Sequence, residues 1–266
     1  MSFPLFKSTL KSCYVVFIIF TALLVFYMFS IAAMYNPSAA DAMAEMMEML
    51  PESLVKMMGM SSSQPGLTGF LAGYYYGFLI FAFPMAYLII VGHRMIGKSV
   101  DNGSMAYLIS TPNTRVKIAV TQAVFYFLSI FAMFALVCVS GIFICEITNK
   151  GLLNIGGFLK LNISAFFLNA AIGSICFFAS CLFNEAKHSY AMGAGVPVAF
   201  FFLYMVGNLG GRLKWIGYLS PYTLLDSAKI LSGETSYLIL SAGSAAFAAA
   251  LTFFAILIFK NKRLPI

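Results

Sequence analysis

Charge is what this sequence has least of. Of 266 residues, 16 are Lys or Arg and 9 are Asp or Glu, so 9% are charged, against about 25% in a soluble domain. With 61% hydrophobic residues and a mean hydropathy of +0.92, a compact water-soluble body would expose large apolar patches. An ordinary soluble enzyme is therefore excluded. Disorder is excluded too, because 28 Phe, 14 Tyr and 16 Met are far too many for a solvated chain. Histidine is almost missing: His93 and His188 stand beside Arg94 and Lys187, with no paired acid or Ser–His arrangement for intramembrane catalysis. The five cysteines (Cys13, Cys138, Cys145, Cys176, Cys181) form neither C-x-x-C nor a Cys/His zinc spacing, so they read as packing residues.

What is present is long apolar runs. A membrane-crossing helix needs about 20 mostly apolar residues, and six stretches qualify: 14–35, 67–92, 118–145, 161–183, 189–209 and 236–259. None contains Asp, Glu, Lys or Arg, although each central charge would cost only about 3 kcal/mol on insertion scales. The alternation of an outer-membrane barrel is absent. The expected fold is an all-α integral membrane protein, a single transmembrane domain over 1–266. The first run is too long for a signal-peptide core, so it reads as a retained span. Interior ionisable groups would mark an ion-coupled carrier, and these runs have none.

The charges also predict an orientation. With the N-terminus inside, ten Lys/Arg face the cytoplasm and six face outward, while seven of the nine acids lie outside. The basic excess is thus mainly the positive-inside bias, with no need for nucleic acid. Both termini are expected in the cytoplasm.

The connecting stretches differ in character. The outer segment 36–66 carries Met43, Met47, Leu50, Leu54 and Met57 at helical spacing, with Asp41, Glu45, Glu48 and Glu52 mostly opposite. It predicts amphipathic helix, broken at Pro51, lying on the surface or meeting apolar cargo. The outer loop 210–235 has the sole Trp, Trp215, with Tyr218 and Tyr222, which suits the interfacial belt and allows a partial re-entry. Within the spans, Gly69, Gly73 and Gly77 form a small-residue stripe for helix packing. Tyr74, Phe78, Phe81 and Met85 of the second run, with Phe200, Phe201 and Tyr204 of the fifth, are candidate walls of an uncharged pathway.

Gly92–Ser99 fits the P-loop pattern G-x-x-x-x-G-K-S. That pattern cradles phosphate only between a strand and a helix; here a membrane span precedes it, so the match reads as accidental. The residues that follow are more telling. Asp101, Gly103-Ser104, Leu108-Ile109, Ser110-Thr111-Pro112 and Arg115 resemble the ABC-2 family of ATP-driven exporter permeases. Its members show an acid, Gly-Thr, a Leu-rich turn, Pro and Arg at this place. Leu219-Ser220-Pro221-Tyr222-Thr223 also resembles that family's outer loop.

The resemblance implies a type V exporter-like permease fold and a homodimer of permeases in a bacterial cytoplasmic membrane. It implies two copies of a separate ATP-binding subunit holding ATP and magnesium, so this chain would be neither enzyme nor cofactor carrier. The loop 93–117 would couple to that subunit through Met95, Ile96, Asp101, Gly103, Ser104, Tyr107, Leu108, Pro112 and Arg115. An aromatic, uncharged pathway points to hydrophobic or amphipathic cargo. Membrane-active peptide is preferred, on a looser likeness to exporters of phenol-soluble modulins and bacteriocins. A multidrug or lipid exporter permease and a non-transporting complex subunit are the alternatives.

Overall fold

The computed structural model describes residues 2–36, 51–59, 65–95, 114–233 and 235–262. Among them there is no strand, and six helices are long and apolar enough to cross a membrane. They are α1 (Phe3–Met34), α3 (Gly66–Met95), α4 (Arg115–Thr148), α5 (Ile155–Leu182), α6 (Ala186–Gly207) and α9 (Ser236–Asn261). Shorter pieces lie between them: α2 (Glu52–Met57), α7 (Lys214–Gly217) and α8 (Ser227–Leu231). This is the architecture of a multi-pass membrane protein. The helices run past the charge-free windows at most ends; α1 starts eleven residues earlier and takes in Lys7 and Lys11. A lysine at a helix end keeps its stem in the apolar zone and its ammonium in water, so charge does not stop the helix.

Starts and stops follow local chemistry. Thr114 caps α4 by accepting from the Lys117 N–H at 3.2 Å, and Asn154 caps α5 by accepting from Gly157 at 3.0 Å. Pro sits in the first turn of α1, where its missing N–H costs nothing.

The core of the bundle is α5. Its most apolar window is 78% buried, against 22–28% for α1, α4, α6 and α9, and it packs against α3, α4, α6 and α9. The peripheral helices leave large side chains such as Ile18, Phe131, Phe143 and Phe253 exposed, as lipid-facing surfaces require. One end of the bundle carries the N-terminus with Lys7, Lys11, Arg94, Arg115, Lys117 and Lys262; it is the basic end. The far end carries α2, α7 and α8.

The central helix also repairs two defects. Pro84 lies inside α3 and Pro197 inside α6, so the carbonyls four residues earlier, Ile80 and Gly193, lose their helical donor. In hydrocarbon no water replaces it. Asn169 of α5 donates to the Ile80 carbonyl at 3.4 Å, and the Cys176 thiol, two turns on, donates to that of Gly193 at 3.2 Å. Asn169→Leu is expected to destabilise the chain by about 1–2 kcal/mol. In a Pro84→Ala background, where the Ile80 carbonyl regains a donor, the same change should cost measurably less by thermal melting in detergent. Equal costs in both backgrounds would mean that the bond contributes nothing.

Candidate functional site

The strongest site geometry lies at the far end, where the chain after α6 turns back into the bundle. Trp215, Tyr218 and Leu219 are exposed on its outer flank, but Ser220 is buried and its hydroxyl donates to the Phe200 carbonyl at 2.7 Å. Phe200 is seven residues inside the end of α6, so the hairpin descends about 10 Å. Its entry requires glycine: Gly207 and Gly217 meet backbone to backbone, and a Cβ on Gly207 would lie 2.4 Å from the Gly217 Cα. The return arm is anchored by Ser227, whose hydroxyl donates to the Ala72 carbonyl of α3 at 3.3 Å. Asp226 caps α8 and pairs with Lys229 at 3.3 Å, as their spacing suggests.

At the bottom of the hairpin, Tyr222 is fully buried and joins three rings. Its centroid is 5.2 Å from Phe81, 5.6 Å from Phe201 and 6.3 Å from Tyr204. Phe81 and Tyr204 are 5.3 Å apart, and Phe78 reaches Phe201 at 5.5 Å. Four expected pathway residues, Phe78, Phe81, Phe201 and Tyr204, therefore do meet, as a packed aromatic cluster between α3, α6 and the hairpin. Three do not join it. Tyr74 packs on Phe70 at 4.4 Å, and Met85 is buried one turn further along α3. Phe200 points the other way, into a cavity of about 380 Å³ bounded by α5, α6, α9 and the hairpin, with Ile172, Ile175, Pro221 and Phe247 among its walls.

Above the cluster α3 changes its winding: Tyr75–Leu79 is a π-helical turn. Gly77 at its centre touches the chain leaving α2, and a Cβ there would lie 2.6 Å from the Gly59 carbonyl oxygen. Gly59 itself adopts φ +64°, the left-handed region glycine favours. The Tyr204 hydroxyl donates to the Gly77 carbonyl at 3.4 Å, and the Asn208 amide to that of Met57 at 3.4 Å. Gly69 and Gly73 are buried in α3, whereas Gly77 serves contact with a connecting segment rather than a neighbouring helix. α2 begins directly after Pro51, and the stretch 37–50 before it, where the expected helix would be broken, lies outside the described residues. In α2 the Lys56 ammonium binds Glu52 and holds its carboxyl below the usual range. Met43, Met47 and Leu50 lie outside the described residues.

At the basic end, Met95 is buried at the close of α3. Arg115 donates from its guanidinium to the Lys262 carbonyl, and Lys262 donates in turn to the carbonyls of Cys181 and Phe183. This clasp ties the start of α4, the end of α5 and the end of α9. Partial burial pushes the Lys262 ammonium down to about 8. Ile96, Asp101, Gly103, Ser104, Tyr107, Leu108 and Pro112 lie outside the described residues. Of the P-loop look-alike, Gly92–Met95 are helix, and a Cβ on Gly92 would meet Cys176 at 3.0 Å. A phosphate loop starts with an open glycine after a strand, not with one packed between two helices.

Sequence reasoning missed the pairing of Asn169 and Cys176 with the proline sites and the place of Tyr222 at the centre of the ring cluster. The available signal was the coincidence of two in-span prolines with a span rich in Asn, Ser and Cys. No protein-family model and no curated protein matches the chain. The fold and the site together define a multi-pass membrane protein with an uncharged aromatic cluster between α3, α6 and a hairpin that turns back into the bundle.

Proposed function

We propose that this chain is the membrane-spanning permease subunit of an ATP-driven exporter of the ABC-2 kind. It moves a hydrophobic or amphipathic cargo, preferentially a membrane-active peptide, out across the cytoplasmic membrane of a bacterium. The observation that carries the reading is the aromatic cluster of Phe81, Phe201, Tyr204 and Tyr222, held between α3, α6 and the re-entrant hairpin. Such a barrier is uncharged, parts without breaking an ion pair, and offers an apolar solute ring faces along its route. The 380 Å³ cavity beside it, into which Phe200 points, gives the cargo a place to lodge.

In this reading the basic end faces the cytoplasm, two permeases pair, and the stretch 93–117 docks on the ATP-binding subunits. The motif from Asp101 to Arg115 supports that assignment. Energy then comes from the partner; among the described residues, Gly92–Met95 of the P-loop look-alike are helix, which does not cradle phosphate. Tagged chain drawn from native membranes in mild detergent is expected to carry ATP hydrolysis, and to lose it when the partner is stripped away. Saturable, magnesium-dependent ATP binding by the stripped chain would overturn the division of labour.

A further inference from the structure

We infer that the groove between α1 and α4 at the basic end is a binding site for one anionic phospholipid of the adjoining leaflet. The groove encloses about 310 Å³. Leu10, Tyr14 and Phe17 of α1 form one wall, Phe125 and Leu128 of α4 the other, and Tyr87 of α3 its floor. It exists because α1 approaches α4 here through small side chains. Thr9 and Cys13 are the buried residues at this level, whereas Leu24 and Met28 fill the same stripe further along. Leu10, Tyr14 and Leu128 are each about half exposed, so the groove opens sideways to the bilayer. The floor is dry: the Tyr87 hydroxyl is spent on Ser129 at 2.8 Å. An acyl chain is the chemistry such a slot accepts.

Charge selects the headgroup. Lys7 and Lys11 are exposed on α1, each next in sequence to a groove residue, Phe6 and Leu10. Lys117 lies two turns before Phe125 on α4, on the face that also bears Thr121, Leu128 and Ala132. The Ser2 backbone N–H donates to Thr121 at 2.9 Å, which sets the start of α1 beside this turn. Lys7, Lys11 and Lys117 thus stand at the basic end of the two helices that wall the groove. Among the described residues the only carboxylate at this end is Glu185, already 3.1 Å from His188. A lipid phosphate supplies an anion that the described residues at this end do not leave free. The groove between α4, α5 and α9, about 430 Å³ and lined by Phe127, Phe166 and Phe253, has no cation on its walls and makes the internal comparison.

The single Trp makes the test clean. In a Trp215→Phe background the full chain carries either Tyr14→Trp in the charged groove or Phe253→Trp in the uncharged one. Each is reconstituted in vesicles containing bromine-labelled phosphatidylglycerol or bromine-labelled phosphatidylcholine at equal mole fraction. At Tyr14→Trp the anionic lipid should quench about threefold more than the zwitterionic one, and at Phe253→Trp the two should quench alike. Salt of about 1 M, where the screening length falls to about 3 Å, should reduce the preference. The Gln triple at Lys7, Lys11 and Lys117 should abolish it and the Arg triple retain it, with Phe253→Trp quenching in each variant reporting correct insertion. Equal quenching at Tyr14→Trp, or a preference that survives both high salt and the Gln triple, would overturn the site. Absence of quenching by either lipid would also overturn it, since a second copy or another protein would then cover the groove.

Discussion

The double substitution Tyr107→Ala with Leu108→Asp is expected to leave the chain inserted and to abolish export. Both residues belong to the stretch through which the ABC-2 reading has the permease grip its ATP-binding subunit. An apolar anchor buried at the centre of such a contact is worth about 2 kcal/mol or more on truncation. An aspartate in its place adds the cost of an unpaired charge out of water. Affinity for the partner should therefore fall about 30-fold or more, and hydrolysis and export should fall together. Retention of partner and export rate by this variant would reduce the stretch to a membrane-surface segment without a coupling role.

The second large effect is expected at Tyr222. Its ring touches Phe81, Phe201 and Tyr204 and is fully buried. Tyr222→Ala should cost about 3–5 kcal/mol, the usual range for emptying a buried aromatic site. The hairpin should then lift, which a cysteine at the buried Leu225 in a Cys-free background would report by reacting with an impermeant maleimide. Tyr222→Phe should behave differently. The hydroxyl has no hydrogen-bond partner among the described residues, so its loss should be neutral or slightly stabilising. If Tyr222→Phe were as damaging as Tyr222→Ala, the hydroxyl would be doing chemistry that ring packing does not explain.

The spans were legible because insertion energetics act locally: a run of some twenty residues without charge has few alternatives to crossing a bilayer. Helix ends were legible only to several residues, since Lys7 and Lys11 end an apolar window without ending α1. The π turn at Tyr75–Leu79 could not be read from the chain. It accompanies the approach of the Gly59 carbonyl to Gly77, a contact between connecting segment and span that no periodicity encodes. Interfacial aromatics marked 210–235 as a possible re-entry, but its depth depends on Ser220 finding Phe200, which is tertiary. The same holds for the candidate pathway. Residue type singled out seven side chains on two spans. The hairpin's Tyr222 then gathers Phe81, Phe201 and Tyr204, with Phe78 beside them. It leaves Tyr74 with Phe70 and turns Phe200 to the cavity.

The central claim is that ATP hydrolysed by a partner drives an apolar or amphipathic solute through this chain. Inside-out vesicles from cells carrying the chain with its native partner, loaded outside with a fluorescent membrane-active peptide, test it most directly. Uptake should require hydrolysable ATP, persist when ionophores collapse every ion gradient, and vanish in the Tyr107→Ala, Leu108→Asp variant. Uptake that ignores ATP and stops with the ionophores would contradict the account and make the chain a gradient-driven carrier.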